Sequence, residues 1–129
     1  MENARAKGRR RVLIVGLDPD AIPGIDAAAV RVGLQYGLAR FEDSELIADQ
    51  CLVPLDATAE RRIVEALTGE NYECVVVGGG IRKPEPLLEL FEAVINLIRV
   101  HAPSAAIAFN TDGGTSLEAA RRVLARRPE

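Results

Sequence analysis

Four short apolar runs, each followed by turn residues and then by a helical pattern, constrain the fold of this chain most strongly. They cover residues 12–17, 47–55, 74–78 and 105–109. Strands that alternate with helices are typical of βαβ crossover units, which build a mostly parallel sheet. The sequence therefore predicts an α/β domain.

The order of the four strands follows from their polarity. The first and third runs are apolar throughout, which is typical of central strands that are covered on both faces. The second run carries Asp49 and Gln50 in its interior, which favours an edge position. We predict the order 2-1-3-4 in a three-layer, flavodoxin-like or Rossmann-like four-stranded parallel sheet with helices on both faces. A ligand site in such a sheet lies beyond the carboxyl ends of the strands, at the switch point between the first and third.

Length and charge limit the other possibilities. The 129 residues suffice for one domain, and we predict a basic, flexible N-terminal tail over residues 1–10 and a single α/β domain over 11–129. The net charge is −3, and the basic residues cluster near the two ends, over 5–11 and 121–127. No aromatic residue lies within either cluster, which argues against a nucleic-acid partner. No apolar run reaches the roughly 20 residues of a membrane span. Two cysteines without an export signal predict a cytoplasmic protein with free thiols.

Two predicted helices have unusual surfaces. The helix predicted from residue 26 to 41 contains Gly33 and Gly37, and each costs about 1 kcal/mol relative to alanine, which predicts close approach to the sheet or to another helix. The helix over 86–100 is apolar around most of its circumference. One face of a sheet covers only part of so wide an apolar surface. Either it is wedged between the sheet and its neighbours, or a second copy covers it. We favour a homodimer through the 86–100 helix.

The loop after the third strand is the stretch most typical of a binding site. Gly78, Gly79 and Gly80 let backbone N–H groups approach a ligand closely, and Arg82 offers a bidentate fork for a carboxylate or phosphate. Asn110, after the fourth strand, adds donors and acceptors at the same edge. These five residues are the candidate ligand-binding residues.

Two carboxylates complete the predicted polar rim. Asp18 follows the first strand and Asp112 follows the fourth, so either is a candidate catalytic base if the protein is an enzyme. The alternative is a tight turn after the third strand in which Arg82 pairs with Asp18 or Asp112. The single histidine and the two cysteines lack the spacing of a metal site, and we assign neither a metal nor a cofactor.

Asp18 and Asp20 also form an Asp-x-Asp pair directly after the first strand. Over these few residues the chain resembles the opening motif of the haloacid-dehalogenase phosphatases. The resemblance implies metal-assisted phosphoryl transfer, with Lys83 as the phosphate-binding lysine. No helical cap insert and no later acidic pair accompany the motif, and Asp-Pro-Asp is also common turn chemistry.

Three functions remain open from the sequence. The first is binding of a small anionic ligand at the crevice by Arg82 and the backbone of the three glycines, with or without catalysis. The second is a homodimeric interaction module without catalysis. The third is a phosphoryl-transfer enzyme built on the Asp-x-Asp pair.

Overall fold

The computed structural model describes residues 9–127. Its strands are β1 (Arg10–Leu17), β2 (Leu46–Val53), β3 (Cys74–Val77) and β4 (Ala106–Phe109). They form one parallel sheet in the order β2-β1-β3-β4. This order confirms the predicted fold class. Register places Val15 of β1 between Cys51 of β2 and Val77 of β3, so β1 lies at the centre of the sheet.

Helices cover both faces of the sheet. They are α1 (Ala27–Ala39), α2 (Ala59–Gly69), the single turn α3 (Gly79–Arg82), α4 (Leu88–His101) and α5 (Ser116–Leu124). Successive residues of β1 point to opposite faces, so Leu13 packs with α2 and α4 while Val12 packs with α5. The segment after α1 adds Phe41 to the α5 side, and the result is the predicted three-layer arrangement.

The helix that motivated the homodimer uses most of its apolar side chains within the chain. Val94 and Ile98 of α4 are buried in the core that also contains α2. Four more pack against that core while partly exposed: Leu90, Phe91, Ile95 and Leu97. Leu88 and Val100 remain 55% and 69% exposed, at opposite ends of the helix. The wedged alternative therefore accounts for most of the apolar surface of α4.

The start of β1 is tied to the rest of the domain. The guanidinium of Arg9 donates hydrogen bonds to the carbonyl oxygens of Phe41, Ser44 and Leu46, and Arg10 is the first residue of β1. Residues 1–8 of the predicted tail lie outside the described residues. Within residues 9–127, no helix combines the length and apolar composition needed to cross a membrane.

Candidate ligand-binding crevice

A cavity of about 590 Å³ lies at the carboxyl ends of β1, β3 and β4, at the switch point predicted from the strand order. Its volume is within the range of roughly 300–1,000 Å³ that is typical of sites for small organic molecules. The end of β1, one side of α1, the glycine loop after β3 and the loop after β4 form its walls. The lining residues are Gly16, Leu17, Ile22, Ala29, Val30, Gly33, Leu34, Gly78, Gly79, Gly80, Lys83, Pro84, Asn110, Thr111, Asp112, Gly113 and Gly114.

Helix α1 forms the outer wall of the cavity, since few of its side chains pack into the core between helix and sheet. Gly37 is its only buried residue. The preceding turns present Val30, Gly33 and Leu34 to the cavity instead of to a packed core. An open space therefore separates the first half of α1 from the strand ends.

The two glycines of α1 have different surroundings. A Cβ atom on Gly37 would lie 1.9 Å from the carbonyl oxygen of Gly113, so the helix touches a loop backbone there rather than the sheet or another helix as we predicted. A Cβ atom on Gly33 would meet nothing within 4 Å. Packing therefore explains Gly37, whereas the missing side chain of Gly33 widens the cavity.

The glycines of the loop after β3 also differ in whether a Cβ atom would meet other atoms. The N–H of Gly78 donates to the carbonyl oxygen of Val15 at 2.9 Å, and a Cβ on Gly78 would lie 3.3 Å from that oxygen. A Cβ on Gly79 would lie 3.1 Å from the side chain of Lys83. Gly80, which is exposed, has no atom within 4 Å of the Cβ position. All three line the cavity, and Gly80 leaves its space unfilled.

Asn110 joins the two loops that border the cavity. It is 4% exposed. Its Oδ1 accepts a hydrogen bond from the N–H of Gly79 at 2.9 Å, and its Nδ2 donates to Oγ of Ser116 at 3.0 Å. Both polar ends are thus engaged within the protein. Asn110 lines the cavity, and these two bonds hold the loop after β3 and the start of α5 in place around it.

Arg82 lies outside the cavity wall. Its guanidinium donates to the carbonyl oxygen of Asn110 at 2.7 Å and stands 5.5 Å from the ring centroid of Phe109. Phe109 in turn contacts Phe91 of α4, with ring centroids 5.9 Å apart. Arg82 is therefore held on the α4 side of the sheet, and it pairs with neither Asp18 nor Asp112 as the tight-turn alternative expected.

Lys83 is the cation that lines the cavity. Its Nζ donates to the carbonyl oxygen of Thr111 at 2.7 Å, which bridges the loops after β3 and β4. In the sequence analysis, Lys83 had a binding role only through the phosphatase resemblance. Its position directly after Arg82, in the loop predicted to bind a ligand, was the sequence signal for its place at the cavity. The α3 turn directs these adjacent side chains to different partners.

The Asp-x-Asp pair stabilises the turn after β1. Oδ1 of Asp18 accepts the N–H of Asp20 at 3.0 Å, which caps the 3₁₀ turn Pro19–Ala21. Asp20 forms an ion pair with Arg31 of α1. Neither aspartate is among the cavity-lining residues. Across residues 9–127, no cluster of three or more His, Cys, Asp or Glu side chains is arranged to hold a metal ion.

Asp112 lines the cavity from the loop after β4. Its Oδ1 accepts the N–H of Gly114 at 2.8 Å. Oγ1 of Thr115 accepts the N–H groups of Thr111 and Asp112, at 3.0 and 3.2 Å. These bonds order the loop and place the carboxylate at an exposed edge of the cavity.

Comparisons with known proteins give no relative from which a function of the crevice could be inferred. The chain matches no protein-family model, no curated protein and no solved structure. The lining residues therefore carry the functional assignment. They combine an apolar wall on α1 with glycine backbone and two charged groups on the loops.

Proposed function

We propose that this protein binds a small organic acid in the crevice beneath α1. The observation that carries the proposal is the cavity of about 590 Å³ at the switch point between β1 and β3. Gly33 and Gly80 leave space at its border where a side chain would otherwise project. Ligands of open α/β sheets bind in this position because the loops beyond the strand ends converge there.

Lys83 is the group that selects an acid. One N–H of its ammonium is engaged with Thr111, and two protons remain to donate to a ligand. A hydrogen bond between an ammonium and a carboxylate or phosphate is charge-assisted, hence stronger than one between neutral groups. Arg82, which we expected to make this contact, instead supports the loop through Asn110.

The opposite wall accepts the body of the ligand. Leu17, Ile22, Val30 and Leu34 line the cavity with aliphatic side chains. Burying apolar ligand surface against them contributes about 25 cal/mol for each Å² removed from water. The preferred ligand is therefore a compact acid with an apolar portion.

Thermal unfolding against a panel of organic acids tests this function. An acid held at about 100 times its Kd adds about 2.7 kcal/mol to the free energy of unfolding. Gly33→Leu places a branched side chain in the cavity where the acid would lie and should abolish the shift in Tm. Gln35→Leu, which adds the same side chain at an exposed position of the same helix, should preserve it. No shift with any acid, or a shift that survives Gly33→Leu, contradicts the proposal.

A homodimeric interaction module remains the second candidate function. It is supported by the exposed side chains of Leu88 and Val100 on α4, the helix through which we predicted dimerisation. Sedimentation velocity of the parent and of Leu88→Glu and Val100→Glu variants tests it. A dimer that dissociates in either variant supports the module, and a monomeric parent rejects it.

We also propose the cytoplasm as the compartment of this protein. Cys51 and Cys74 are both free thiols. Thiols persist in a reducing compartment, whereas oxidising compartments favour disulfides. Fractionation of the source cells with an antibody to the chain tests the assignment, and recovery outside the cytoplasmic fraction contradicts it.

A further inference from the structure

The charges that line the crevice are of opposite sign. Among the described residues of the cavity wall, Lys83 and Asp112 alone carry charge. They come from different loops, after β3 and after β4. No ion pair within 4.0 Å joins them, although both are exposed at the same edge of the cavity. A ligand therefore meets a cation and an anion together.

Each of the two charged groups is positioned by one hydrogen bond and keeps unused capacity. The Lys83 ammonium lies 2.7 Å from the carbonyl oxygen of Thr111, the residue that precedes Asp112. The Asp112 carboxylate uses Oδ1 to accept the N–H of Gly114, at 2.8 Å, and Oδ2 stays available. Both charged groups are thus held by hydrogen bonds to the backbone of the loop over residues 111–114, and each keeps capacity for a ligand in the cavity.

We infer that the acid bound in the crevice is a zwitterion, an α-amino acid with an apolar side chain. This inference rests on the proposed function of the same site. The ligand carboxylate binds Lys83 and the ligand ammonium binds Asp112, two groups that an α-amino acid carries on the same carbon atom. The apolar side chain extends toward Val30 and Leu34 of α1.

Charge complementarity separates this class from simpler ligands. A carboxylate without an amino group gains Lys83 but places a second negative charge near Asp112. An amine without a carboxylate meets the converse problem at Lys83. A probe that lacks one of the two charged groups loses one charge-assisted hydrogen bond, to Lys83 or to Asp112.

Isothermal titration calorimetry with three matched probes tests the inference. The probes are L-phenylalanine, 3-phenylpropanoate, which lacks the amino group, and 2-phenylethylamine, which lacks the carboxylate. We expect L-phenylalanine to bind at least about tenfold more tightly than either truncated probe, a difference typical of one charged hydrogen bond. Asp112→Asn keeps the oxygen that accepts the Gly114 N–H and should remove the preference over 3-phenylpropanoate. Lys83→Gln should remove the preference over 2-phenylethylamine.

The outcomes distinguish this inference from the proposed function. Glu89→Gln, on the exposed side of α4, is the matched control and should leave all three affinities unchanged. Equal or tighter binding of 3-phenylpropanoate overturns the zwitterion while leaving an acid-binding crevice. A preference for L-phenylalanine over 3-phenylpropanoate that persists in Asp112→Asn also overturns the zwitterion inference. If none of the three probes binds while another acid of the panel shifts Tm, the zwitterion is rejected and the proposed function stands.

Discussion

Gly37 of α1 packs backbone to backbone against Gly113, since a Cβ atom on Gly37 would lie 1.9 Å from the Gly113 carbonyl oxygen. The contact anchors the second half of α1 to the loop after β4. That loop also carries Asp112, so the outer wall of the crevice and its acidic group share one attachment. Arg40, at the end of α1, strengthens it by donating to the Gly114 carbonyl oxygen at 2.9 Å.

The two glycines of α1 should respond in opposite directions to alanine. Gly37→Ala forces the helix away from Gly113, and we expect a loss of about 1–3 kcal/mol in the free energy of unfolding. Gly33→Ala meets no atom within 4 Å and should gain up to about 1 kcal/mol from helix propensity. Urea denaturation of both variants measures the difference. Equal stabilities would show that the Gly37 contact is absent in solution.

Asn110 should be important for stability because it satisfies groups on both loops. Asn110→Ala leaves the Gly79 N–H and the Ser116 hydroxyl without their partner, and we expect a loss of about 2–3 kcal/mol. Ser116→Ala removes only one of these bonds and should cost less. Chemical denaturation ranks the two variants. An Asn110→Ala variant as stable as the parent would show that the loops do not depend on this side chain.

The Cys74 thiol should be inert in the folded protein. It is fully buried in the sheet, and burial raises the pKa of the Cys74 thiol to about 12. Burial also raises the pKa of the Cys51 thiol, which is partly exposed. In a Cys51→Ser variant we expect reaction with a thiol reagent only as fast as the domain opens, because the thiolate is the reactive form. Rapid labelling of that variant in native buffer would contradict the burial of Cys74.

The ion pair between Glu45 and Arg121 should contribute to stability in a defined range of pH. The hydrogen bonds from Arg121 lower the pKa of Glu45 from 4.5 to about 2. A carboxylate whose folded pKa is lowered stabilises the fold above its unfolded pKa, and this contribution is lost as the pH falls through the folded value. Because the pair is exposed, we expect a small effect.

Stability curves between neutral and acid pH check this effect. The free energy of unfolding of Glu45→Gln should fall less steeply than that of the parent between about pH 4.5 and pH 2. Glu92→Gln, an exposed substitution on α4, should follow the parent curve. Parallel curves for Glu45→Gln and the parent would show that the pair does not form in solution.

Local patterns account for the part of the fold that could be predicted. The valines of β3 are buried on both faces, as an unbroken apolar run predicts. Asp49 and Gln50 are tolerated in β2 because an edge strand leaves them partly exposed, and Asp49 gains partners in Arg11 and Tyr72. These preferences depend on residues near each other in the chain, so the sequence contains them.

The identity of the side chains at the crevice depended on contacts that no local pattern contains. Arg82 and Lys83 are adjacent and both basic, yet Arg82 lies over the ring of Phe109 while Lys83 donates a hydrogen bond to Thr111. The partners come from β4 and the loop after it, more than two dozen positions along the chain. Gly33 and Gly37 likewise look alike in sequence, and the loop at Gly113 decides that only Gly37 is needed for packing.

The sequence by itself determined the strand order and hence the edge of the sheet at which the cavity lies, because hydrophobic periodicity and the alternation of strands with helices are local properties of the chain. Only the tertiary structure decided which groups line that edge and how far α1 stands from it. Those outcomes depend on how loops from distant parts of the chain pack together, and packing acts between surfaces whose shapes exist only after folding.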